Sequence, residues 1–215
     1  MAIIIDPPRA SKLLSSMYLC KPSREAIIGW RSLLTDDTSI YFVELKSALE
    51  SIDAASDKIL EDVLWDYTRL FIGPYRLPCP PWESVYTSQK KMMMQDAADE
   101  AKRAYADFGV AVDEPTVMPD HIGAELNFLS LVFQRASEEN GKTPRSGGIA
   151  ETFLHEHLLK WVPRFTRDME EAAETILYKA LARSTRQMLV EISADGFGSM
   201  RTRETPSRDE RLQIR

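Results

Sequence analysis

Two clusters in this 215-residue chain combine side chains that could move protons or grip a charged ligand. The first is Pro119-Asp120-His121-Ile122-Gly123-Ala124-Glu125-Leu126. On a helix, His121 and Glu125 stand four residues apart, so they can pair and hold an exposed polar site, with Asp120 at the helix start. That set suits acid–base chemistry or recognition of a cation. Asp120 has an equally plain use as a cap on the free amides of its helix. The second cluster is Pro78-Cys79-Pro80-Pro81-Trp82-Glu83-Ser84-Val85-Tyr86. A proline-stiffened loop of this kind presents Trp82 and Tyr86 beside Glu83. It loses little entropy on binding, its aromatics supply contact area and its carboxylate supplies charge. The alternative is a rigid connector whose Trp82 plugs the interior, and the residues alone leave the two readings even.

Other chemistry is poorly supported. Gly141-Lys142-Thr143 suggests a phosphate loop, but Ala136 stands where the leading glycine is required and no strand precedes it. His155 and His157 point about 200° apart on a helix and do not form HExxH, so no metal site is expected and both read as cap or surface groups near Trp161. Cys79 lies near Arg76 and reads as an incidental loop cysteine rather than a reactive thiol. No cofactor motif is present, and no cofactor is expected.

The segments that must position these clusters repeat at helical spacing. Leu60, Val63, Leu64, Tyr67, Leu70 and Phe71 predict a helix from about Asp53 to Phe71, ended by Gly73-Pro74. Ile122, Leu126, Leu129 and Phe133 predict another from about Pro119 to Glu139, with proline in its first turn. Ala173, Ile176, Leu177, Ala180, Leu181, Ser184 and Met188 mark a long helix near the C-terminus. Weaker patterns cover Arg9–Cys20, Ser23–Leu34, Ser39–Ser51, Lys90–Phe108 and Gly148–Trp161. Ala2–Ile5 is apolar but has no second strand to pair with. The expected fold is all-α, a compact single-domain bundle of about eight or nine helices over residues 1–197, with a candidate hinge at 141–148. The tail, 198–215, carries five arginines against three acids and reads as disordered.

A hydrophobic fraction of 44% and a charged fraction of 28% are ordinary for a globular domain. The net charge of −6 disfavours nucleic acid as partner and favours basic peptides. Two distant cysteines imply no disulfide framework. No run reaches the length of a membrane span, and the N-terminus lacks the basic region of a secretory signal, so a cytoplasmic protein without stable membrane insertion is expected.

In order and spacing, Arg69-Leu70-Phe71-Ile72-Gly73-Pro74, Pro80-Pro81-Trp82-Glu83-Ser84-Val85-Tyr86 and Pro119-Asp120-His121-Ile122 with Glu125-Leu126 resemble the TorD/DmsD/NarJ family of redox-enzyme maturation chaperones. The segment Phe153–Phe165, with His157, Trp161 and Pro163, resembles that family's later helix-and-turn signature. The resemblance implies a non-catalytic helical protein that binds the twin-arginine signal peptide or apoprotein of a molybdopterin enzyme and assists cofactor loading before export. It implies a peptide surface at Pro80, Pro81, Trp82, Glu83, Tyr86, Asp120 and His121, with Leu70, Phe71 and Glu125 shaping the groove. Glu83 and Asp120 would meet the basic end of the peptide, and the aromatics its apolar stretch. Alternatives are a nitrate-reductase-type chaperone that binds a folded subunit, a helical acid–base enzyme, and a regulator with a nucleic-acid-binding tail. Either a monomer or a domain-swapped dimer is compatible with the sequence.

Overall fold

The computed structural model describes residues 6–34, 40–53, 55–74, 76–88, 96–110, 117–138 and 145–195. The helices are α1 (Pro7–Leu19), α2 (Arg24–Leu34), α3 (Val43–Ser51), α4 (Asp57–Tyr67), α5 (Glu83–Thr87), α6 (Asp96–Phe108), α7 (Ile122–Glu138), α8 (Arg145–Phe153), α9 (Leu159–Ala172) and α10 (Ile176–Asp195). A 3-10 turn, Ile40–Phe42, leads into α3. A π turn at Thr68–Ile72 extends α4, and another at Leu154–Leu158 joins α8 to α9. With the joined runs counted once, nine helical segments stand among the described residues, within the expected number. The only β-type pairing among those residues is an isolated antiparallel bridge between Trp82 and His121.

Local chemistry explains most boundaries. Pro7 and Pro8 open α1, where a missing N–H costs nothing. The π turn after α4 stops at Gly73, whose φ of 88° is cheap only for glycine. Gly109, at φ 83°, ends α6 while the Val110 N–H returns to the Tyr105 carbonyl at 2.9 Å. The expected helix at 119–139 starts three residues later, because Asp120 and His121 are drawn into the bridge. Ala2–Ile5, residues 141–144 of the expected hinge and the 198–215 tail lie outside the described residues.

The interior is one apolar cluster in which Tyr18, Phe71, Trp161 and Phe165 are buried together. α1 lies along α7, and the Ser15 hydroxyl donates to the Gly123 carbonyl at 2.7 Å. A methyl group at Gly123 would run into the Leu19 side chain, which would have to move to admit it. α10 packs against α9 and α3. Its start is fixed by the buried Asp66 of α4, whose Oδ2 accepts the Glu174 and Thr175 N–H groups and the Thr175 hydroxyl at 2.8–3.0 Å. Arg69 donates to Asp66 Oδ1 at 2.7 Å and to the Ala172 carbonyl at 2.5 Å. One carboxylate thus caps a helix more than a hundred residues further along the chain.

Candidate functional site

The fold brings together the two clusters that stand out in the sequence. The Glu83 N–H donates to the Asp120 carbonyl at 2.9 Å, and the Ile122 N–H donates to the Pro81 carbonyl at 3.0 Å. This short ladder clamps the proline loop against the start of α7. From α6, the Tyr105 hydroxyl donates to the Pro119 carbonyl at 2.6 Å and fixes the approach to the clamp.

The acids do not occupy the positions expected of them. Asp120 is fully buried, and its Oδ2 accepts the Ser84 N–H at 3.1 Å and the Ser84 hydroxyl at 2.5 Å. It therefore caps α5 rather than its own helix. α7 is capped by His121, whose Nδ1 accepts the Gly123 N–H at 3.0 Å. Burial lowers the His121 pKa to about 4, so the ring is neutral at pH 7 and offers no charge to a ligand. The expected side-chain pair of His121 with Glu125 is replaced by other partners for both groups.

Beneath the clamp lies a buried network. Glu83, also expected to face the peptide, is 2% exposed, and its Oε2 meets His157 Nδ1 at 2.7 Å. Glu125 is 0% exposed and accepts the Trp161 indole N–H at 3.1 Å. Burial pushes its carboxyl well above the ordinary range, the adjacent Glu83 charge pushes it further, and the Trp161 bond opposes both. Glu125 therefore holds its proton to higher pH than a solvated glutamate does. His157, expected at the surface, is buried in the π turn and stacked on Phe153 at 4.5 Å. Glu83, Glu125 and His157 each bring one ligand atom within 4.8 Å of the others, a spacing that could hold a metal ion. The Glu83–His157 bond and the Trp161 N–H each engage one of these carboxyl oxygens, while Glu125 Oε1 has no hydrogen-bond partner among the described residues.

The accessible part of the site is a groove of about 560 Å³. Trp82, Val85 and Tyr86 form one wall, with Pro78 and Pro80 beside them, and Arg76, Arg164 and Asp168 bring the charge. Trp82 and His121 are half-buried and meet edge-to-face at 6.0 Å. Tyr86 faces the groove on one side and packs on Trp161 at 5.5 Å on the other, and Arg164 lies over its ring at 5.7 Å. Pro81, Leu70 and Phe71 are buried behind this wall. Cys79 is also buried, and its thiol, donating to the Leu70 carbonyl at 3.8 Å, is pushed up by desolvation. This agrees with the reading of an inert thiol.

Arg164 and Asp168 were not singled out in the sequence. The available signal was their spacing from Trp161 and from each other, which puts all three along one side of α9.

Known proteins resemble this chain in sequence and in fold. The profile of the family described as nitrate reductase delta subunit matches residues 35–167. The chaperone protein TorD of Vibrio parahaemolyticus is 29% identical over 141 residues, 64% of this chain and 65% of that protein, slightly under two thirds of its length. The Tat proofreading chaperone DmsD of Salmonella typhi is 28% identical over 187 residues, 86% of this chain and 87% of that protein. A crystal structure from Archaeoglobus fulgidus, described as a proposed redox enzyme maturation protein, shares the fold with a TM-score of 0.59 at 23% identity. It covers 85% of this chain and 93% of its own. With the family profile matching well over half of its length, the chain belongs to the TorD/DmsD/NarJ family of redox-enzyme maturation chaperones.

Proposed function

We propose that this protein is a cytosolic, non-catalytic chaperone for a molybdopterin-dependent redox enzyme. It binds the client's twin-arginine signal peptide, its apoprotein or both, and assists cofactor loading before export. The observation that carries this reading is the groove at Trp82 and Tyr86, built where the two family motifs clamp together. Its apolar wall suits the apolar stretch of a signal peptide, and the overall charge of −6 draws a basic segment in. In this reading Pro80, Trp82 and Tyr86 touch the peptide and His121 borders it. Glu83, Asp120 and Glu125 hold the groove from behind.

Titration calorimetry with a peptide carrying paired arginines ahead of an apolar run tests the assignment. Micromolar affinity is expected. No heat up to high micromolar peptide rejects signal-peptide recognition and favours a second reading, binding of a folded reductase subunit. That reading is supported by the description of the matched family as nitrate reductase delta subunit. An acid–base enzyme built on Asp120, His121 and Glu125 is disfavoured because both carboxyls are buried and engaged, and the imidazole Nδ1 is committed to a backbone amide.

A further inference from the structure

We propose that Asp168 is the carboxylate of the groove that receives a guanidinium of the bound peptide, and so sets a preference for arginine over an uncharged side chain. The inference rests on the peptide-binding reading above and gives that site its charge recognition. Of the three acids in the two motif clusters, Glu83, Asp120 and Glu125, none is accessible. Asp168 is the acid that lines the groove. It is half-buried, and among the described residues no hydrogen bond or ion pair holds its carboxylate. Partial desolvation raises its pKa, with Arg164 and Arg167 opposing from a distance and Glu171 adding to the rise. A carboxylate stripped of some water and left unpaired gains more from an arriving cation than a solvated one does.

The surroundings fit one guanidinium rather than a run of cations. Arg164 stands one turn before Asp168 but lies over the Tyr86 ring instead of on the carboxylate. Arg76 and Arg164 line the same groove, and Asp168 is the single carboxylate among its lining residues, which limits it to one incoming cation. The remaining wall, of Trp82, Val85 and Tyr86, is left for apolar side chains.

The test is calorimetry with two peptides, one with paired arginines ahead of the apolar run and one with both replaced by glutamine. Each is titrated into the wild type, Asp168→Asn and Asp168→Glu, with melting curves to establish that the variants are folded. The wild type should prefer the arginine peptide roughly tenfold, the scale of one partly exposed charge-assisted contact. Asp168→Asn should bind the two peptides alike, at the affinity the wild type shows for the glutamine peptide, and Asp168→Glu should recover part of the preference. A folded Asp168→Asn protein that keeps the wild-type preference overturns the assignment, as does a wild type with no preference, and in both cases the groove remains a peptide site. A wild type that binds neither peptide removes the peptide reading, and the role of Asp168 with it.

Discussion

Glu125→Gln tests the buried joint directly. Burial and the neighbouring Glu83 charge hold the native carboxyl's pKa well above the 4.5 at which an unfolded chain releases that proton. Above that pH the folded state binds up to one proton more than the unfolded state. Stability from this group is therefore fully present below pH 4.5 and falls as pH rises, by about 1.4 kcal/mol per unit, until the native acid itself ionises. The glutamine amide has the shape of the protonated acid. Its oxygen can accept the Trp161 N–H and its nitrogen can donate to Glu83, but it carries no titrating proton. Its second N–H is left without an assigned partner, a cost of about 1 kcal/mol. Urea unfolding of both proteins at pH 5, 6, 7 and 8 gives the difference in stability, from which the other titrating groups largely cancel. The variant should gain stability relative to the native protein as pH rises above 4.5, by up to about 1.4 kcal/mol per unit. A difference independent of pH would refute the reasoning, because it would mean that Glu125 is ionised in the native protein.

The other substitutions separate the supports of the groove from its surface. Asp120→Ala strips the cap from α5 and should cost about 1–2 kcal/mol in denaturant unfolding, so any loss of peptide affinity would come with a loss of stability. His121 gives the opposite pH dependence to Glu125. Its folded pKa, about 4, lies below its ordinary 6.5, so stability is lost as pH falls through that window, by up to about 1.4 kcal/mol per unit. His121→Asn keeps a capping acceptor and should flatten the acid limb between pH 6.5 and 4; an unchanged limb would mean that the native ring is protonated. Trp82→Ala should weaken peptide binding roughly tenfold through lost aromatic contact. Its melting temperature should stay within a few degrees of wild type, since the ring is only half-buried; a large drop with unchanged affinity would make Trp82 a structural plug.

The helical stripes were legible because a 3.6-residue period needs no knowledge of the partner. Leu60, Val63, Tyr67 and Leu70 predict α4, and Ile122, Leu126, Leu129 and Phe133 predict α7, to within a few residues. The π turns were not legible, because one extra residue per turn leaves almost no mark on a short apolar pattern. Nor were the capping partners. Capping rules are local and assign Asp120 to its own helix, yet it serves α5, 36 residues earlier in the chain. The Glu83–His157 pair spans 74 residues and exists only because α5 packs on the run that ends in α9. The burial of Glu125 did leave a trace. Ile122, Leu126, Phe128, Leu129, Val132 and Phe133 cover more of α7 than a single stripe does, so the helix is enclosed on most sides. An acid on an enclosed helix has to find its partner inside.

That distinction changes how charge at this site should be read. Glu83 is matched by His157, Glu125 accepts the Trp161 N–H, and Asp120 accepts two hydrogen bonds from Ser84. Carboxyls buried and engaged in this way act chiefly through geometry, because a ligand outside cannot reach them. The geometry they fix is the register of α9. His157 ties the π turn to α5, and Trp161, four residues on, ties the same run to α7. Arg164 and Asp168 follow on that rigid rod and meet Tyr86 at the groove. A rise of about 1.5 Å per residue puts Asp168 roughly 10 Å beyond the Trp161 anchor. A one-residue slip of α9 would turn its side chain by about 100°, away from the groove. The motif acids thus determine where the outer charges stand, and the outer charges are the ones accessible in the groove.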